Sequence, residues 1–86
     1  MAKGKVVQVI GTVVDMEFPK DALPAIYNGI TIPTNGSKII VEAQAHIGNK
    51  WVRGVALTPT DGLARGAEAI DMGTPISVPV GRGTLG

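Results

Sequence analysis

The sequence contains no cysteine, which removes disulfides, thiolate metal ligands and thiol nucleophiles together and fits a reducing compartment. Histidine occurs once, at His46, so a metal site built on several imidazoles lacks its material. The aromatic residues are Phe18, Tyr27 and Trp51 alone, too few for the stacking platform that single-stranded nucleic acid requires. No apolar run approaches the ~18 residues of a membrane span, and the opening MAKGKVVQVIG lacks the apolar core of a signal peptide. Neither sign of charge dominates: 8 Lys and Arg against 7 Asp and Glu leave a formal charge of +1. The basic residues are scattered along the chain, which argues against a nucleic-acid partner. Together these absences lead us to expect a soluble, cytoplasmic protein with no direct membrane insertion.

What is present is a short, apolar chain. Its 86 residues are 44% hydrophobic and 17% charged, enough to fold as a single domain over 1–86 but too few to enclose a deep catalytic cleft. The dominant period is two. Lys5 to Phe18 is rich in β-branched residues and reads as one long strand bent at Gly11, with Ile10, Val14, Met16 and Phe18 on one face and Val13, Asp15 and Glu17 on the other, wet face. Pro19 and Pro24 forbid a regular ladder, so a loop follows, re-entering extended structure near Tyr27 to Ile32.

Asn35-Gly36 predicts a hairpin turn. The next strand alternates, with Ile39, Val41, Ala43 and Ala45 inward and Glu42, Gln44 and His46 outward. A second turn at Gly48-Asn49-Lys50 leads into a strand from Trp51. Between Thr58 and Gly66 the strand pattern stops, and Asp61 is placed to cap a single helical turn. Two short strands, Ala67–Asp71 and Pro75–Val80, then flank a turn at Met72-Gly73-Thr74. About six short strands with glycine or asparagine at nearly every turn favour an all-β fold, a small closed antiparallel barrel.

Few residues gather for chemistry. Gly81-Arg82-Gly83-Thr84-Leu85-Gly86 spells G-x-G-x-x-G, but the helix whose N-terminal amides would hold a pyrophosphate does not follow. The triphosphate pattern G-x-x-x-x-G-K-[S/T] is absent. Asp15 and Glu17 point the same way from one strand, where acid–base work would need desolvation and a solvated face beside lysines is the plainer expectation. His46 and Glu42 lie four strand residues apart, about 13 Å, so they form no dyad. Ser37 falls in a turn and Ser77 in a predicted strand, neither in a nucleophile elbow. We therefore assign no catalytic, cofactor or metal residue. Trp51 shares parity with Arg53, either packing over a barrel end or lying outside beside the guanidinium, and Ile40 shares the polar face of Glu42 and Gln44. Ile40, Trp51 and Arg53 are the candidate interface residues.

The blocks GKVVQVIGTVVDMEF (4–18), VE (41–42), VRGVAL (52–57), DGLARG (61–66) and DMGTPISVPVGRGTLG (71–86) occur in this order. With them the chain resembles the N-terminal barrel of the β subunit of F-type ATP synthase over essentially its whole length. It departs from that pattern at Trp51, Gly54 and Arg82-Gly83. The resemblance implies a six-stranded barrel beside the homologous barrels of α subunits, in a ring that holds an alternating hexamer together. It also implies that GRGTLG is the exit from the barrel, and that the nucleotide-binding domain, with ATP or ADP and Mg²⁺, lies beyond it in the parent subunit. None of the family's catalytic residues maps onto a position of this chain. The competing expectation is a free-standing barrel that binds nucleic acid or another ligand on its outer sheet.

Overall fold

The computed structural model describes residues 2–76. Six strands, β1 (Lys3–Ile10), β2 (Val13–Glu17), β3 (Asn28–Thr34), β4 (Ser37–Ile47), β5 (Trp51–Ala56) and β6 (Glu68–Pro75), close into an antiparallel barrel in the order β1-β2-β5-β4-β3-β6, with β6 paired back onto β1. The expected fold class is the one observed. Among the described residues the only helical turn is a 3-10 turn at Lys20–Ala22, inside the segment expected to be a loop, and no helix is long and apolar enough to cross a membrane.

The Asn35-Gly36 hairpin forms as expected, with Thr34 opposite Ser37. The stretch read as one bent strand is two. Gly11 takes φ 59°, the positive value that tight hairpin loops demand, and with Thr12 folds β2 back on β1 so that Ile10 faces Val13. The reversal resets the parity. Ile10 turns outward and is 61% exposed, while Val14, Met16 and Phe18 are buried.

At the other end the expected Met72-Gly73-Thr74 turn is a bulge inside β6. The register with β3 jumps from Ile30 opposite Asp71 to Asn28 opposite Pro75. Asp71 Oδ1 fastens the bulge, accepting from the Gly73 amide at 3.0 Å and from Asn28 Nδ2 at 3.2 Å. The strand expected over Pro75–Val80 lies largely outside the described residues.

A second bulge sits at Gln44, where the register with β5 shifts between Ala43–Gly54 and Ala45–Arg53. It inverts the alternation: Ala45, expected inward, is exposed. His46 takes the side of Val52 at the barrel end yet is exposed, as expected, with Nε2 2.6 Å from the carbonyl of Pro24. In the 58–66 segment Gly62 is left-handed directly after Asp61 and interrupts any helical turn. Two reverse turns form instead, closed by Leu63 N to Thr60 O and Ala67 N to Ala64 O.

Inward-facing side chains fill the barrel, among them Val6, Val14, Met16, Phe18, Ile30, Ile32, Val41 and Val52. Gly54 is inward too, and a Cβ there would meet Val41 Cγ1 at 2.5 Å and the Glu42 carbonyl at 2.8 Å. Its lack of a side chain is what lets β4 and β5 approach.

Candidate interface

A barrel packed with apolar side chains leaves its outer face as the surface able to act. On β2 and β5 that face carries Val13, Asp15 and Glu17 beside Val55, Arg53 and Trp51, paired in register. Arg53 Nε donates to Asp15 Oδ1 at 2.9 Å and Nη2 to Oδ2 at 3.2 Å, a two-pronged, charge-assisted contact. The Asp15 side chain is 2% exposed although it points away from the core, while that of Arg53 is half exposed. The hydrogen bonding of the guanidinium to Asp15, and then the charge of Asp15, raise the guanidinium pKa, so Arg53 stays a cation throughout the ordinary pH range. This corrects the expected wet face: Asp15 is buried under an arginine from the neighbouring strand. Glu17 lies opposite Lys5 on β1 and Trp51 on β5. The two carboxylates therefore have different neighbours and form no acid–base pair.

Trp51 takes the outer of its two expected positions. It sits at the barrel end where β5 begins, between Glu17 and Ile47, and is 39% exposed. Ile40 lies at the far end of β4, its amide donating to Thr58 Oγ1 at 3.2 Å and its carbonyl accepting from Leu57 N at 2.7 Å. Trp51 and Arg53 are thus neighbours on β5, whereas Ile40 is about 20 Å away along the strands.

Sequence reasoning placed Val13 outward but did not single out its apolar neighbours Ile10, Val55 and Leu57. Ile10, Val13 and Val55 stand side by side across β1, β2 and β5. Leu57, two residues beyond Val55 and 52% exposed, extends the patch toward Ile40. The parity of Leu57 with Trp51, Arg53 and Val55 was a readable signal; that of Ile10 was hidden by the hairpin. A second, partly apolar surface lies on β3, β4 and β6, a groove of about 250 Å³ lined by Gly29, Thr31, Lys38, Ile40, Met72, Thr74, Pro75 and Ile76. There Met72 Sδ accepts from Thr31 Oγ1 at 3.1 Å, and the side chain is 44% exposed. In a six-strand cycle the β2/β5 pair is opposite the β3/β6 pair, so the two surfaces look away from each other, with Ile40 on β4 bordering both.

Among the described residues no group of three or more His, Cys, Asp or Glu side chains gathers. Ser37 opens β4 next to the hairpin turn, and Ser77 and the GRGTLG segment lie outside the described residues. Residues 6–73 match the profile of a family described as the ATP synthase alpha/beta family, beta-barrel domain.

Proposed function

We propose, from the premise that this chain belongs to the ATP synthase alpha/beta family as its beta-barrel domain, that it is the barrel of a β-type subunit and acts in assembly. In this reading it lies between the homologous barrels of two α-type subunits and helps to hold an alternating ring together. The β-type assignment rests on the resemblance of the opening and closing blocks of the sequence. ATP synthesis or hydrolysis, with its Mg²⁺ and its coupling to ion transport, belongs to the nucleotide-binding domain of the parent subunit, and this barrel contributes no catalytic group to it.

One observation carries the reading. A subunit set between two neighbours in a closed ring needs two different faces, one for each. The barrel offers two different outer surfaces, the apolar strip Ile10–Val13–Val55–Leu57 and the partly apolar Met72–Ile40 groove, which Lys38 and Thr74 also line. Exposed apolar surface of this kind marks an interaction site more often than chance on a small domain.

The test is sedimentation of the chain mixed with an α-type barrel domain. Heavier species that disappear with Leu57→Lys on one face and Met72→Lys on the other support the reading. Assembly indifferent to both substitutions, with both variants folded by circular dichroism, would refute it.

A further inference from the structure

The N-terminal strand runs past its neighbour. The β1–β2 ladder ends at Lys5 opposite Glu17, and the next residue, Phe18, bonds to the β5 side, its amide donating to the Lys50 carbonyl at 2.8 Å. On its other side β1 remains paired with β6 out to Lys3 opposite Ile70. The main chains of Ala2 and Val6 bond toward β6, through Asp71 N to Ala2 O, Val6 N to Ala67 O and Gly66 N to Val6 O. Because these groups alternate along a strand, Lys3 and Lys5 direct theirs toward β2. Lys5 meets Glu17 there. The position opposite Lys3 falls to Pro19, which has no N–H to offer.

The outcome is a shallow, open notch of about 430 Å³ lined by Lys3, Lys5 and Lys50 together with Gly4, Glu17, Phe18 and Pro19. Gly4 cannot carry a side chain, since a Cβ would run into the Glu17 main-chain oxygen and approach the Phe18 ring at 2.8 Å. Lys3 Nζ is 3.7 Å from Glu68 Oε2, both side chains being more than half exposed, a pairing too solvated to hold the ammonium strongly. Lys5 and Lys50 have no carboxylate within ion-pair distance among the described residues.

We propose that this notch binds an extended acidic peptide segment, added beside Lys3 as a short extra strand. Each part of the notch has a role: the N–H and C=O of Lys3 directed toward β2 pair with the peptide backbone, the ammonium groups take its carboxylates, and exposed Pro19 meets one aliphatic side chain. Three cations against one carboxylate in the lining set the sign of the ligand. A peptide fits better than a nucleic acid, because Phe18, the only ring present, is 1% exposed and offers no face for a base to stack on. This site does not depend on the ring reading.

The experiment uses the full chain and a fluorescein-labelled peptide of alternating glutamate and valine, followed by fluorescence anisotropy, with chemical-shift mapping of the amides. Saturable binding is expected, with shifts at Lys3, Gly4, Lys5, Phe18 and Lys50. Affinity should fall about tenfold or more in Lys5→Gln/Lys50→Gln, as expected when two charge contacts are lost. Lys50→Glu, at an exposed turn, serves as a second variant whose fold is secure. Lys3→Pro, which removes the free N–H, should weaken binding more than Lys3→Gln. Absence of binding up to ~1 mM peptide, affinity unchanged by the lysine substitutions, or equal binding of oligo(dT) or phosphatidylserine vesicles would overturn the proposal.

Discussion

Tyr27 is the only non-glycine residue with positive φ among those described, at 75°, and its ring is 59% exposed. A left-handed backbone at a bulky residue costs about 1–2 kcal/mol, and asparagine tolerates it better. We therefore expect Tyr27→Asn to raise stability by about 0.5–1 kcal/mol in urea unfolding; a loss would show that the ring packs more than its exposure implies. Gly54 makes the opposite case. Gly54→Ala pushes a methyl group against Val41 and the Glu42 carbonyl and should cost about 1–3 kcal/mol, the usual penalty for overfilling a packed core. The Asp15–Arg53 pair predicts an asymmetry. Arg53→Ala strands a buried carboxylate and should lower the melting temperature more than the double variant Arg53→Ala/Asp15→Asn does. If the double variant melts lower still, the fork is not what keeps Asp15 satisfied.

At the scale of strands, the Gln44 bulge gives the sharpest contrast. Ala43 and Ala45 look equivalent in an alternating pattern, yet Ala43 is buried on the core side and Ala45 is exposed beside Arg53. Ala43→Leu is expected to cost about 1–3 kcal/mol through overpacking and Ala45→Leu less than about 0.5 kcal/mol, as at other surface positions. Equal costs would mean that the bulge is misplaced. The same case shows where the sequence stops being readable. Period-two alternation locates strands, but a bulge adds one residue to one strand only, and nothing in Glu42-Ala43-Gln44-Ala45 marks which residue is extra.

The sequence suggests about six strands and the barrel has six, but their bounds differ. The segment from Lys5 to Phe18 hides a reversal at Gly11-Thr12, a turn without the Asn-Gly signal that made residues 35–36 legible. The Met72-Gly73-Thr74 signal was real, but Asp71 and Asn28 use it to fasten a bulge rather than to end a strand. Arg53 and Trp51 were found because they share one strand's parity. Ile10, Leu57 and the Asp15–Arg53 fork depend on which strands become neighbours, and that pairing is set by barrel closure.

At the scale of the whole fold, the described residues form a closed barrel that fills its own interior and turns an apolar strip and a partly apolar groove outward. In our account its work is contact, and the barrel itself holds no nucleotide. Millimolar Mg-ATP should therefore leave its melting temperature unchanged, whereas a ligand that binds only the native state would raise it by mass action. Light scattering of the chain alone should report a monomer, because in the proposed reading the ring contacts draw also on other domains of the parent subunits. The most direct measurement of the central claim is an amide chemical-shift map of this chain titrated with an α-type barrel domain. The account predicts perturbations at Ile10, Val13, Val55 and Leu57 on one side and at Thr31, Ile40 and Met72 on the other. Shifts confined to the ends of the barrel, or none at all, would contradict it.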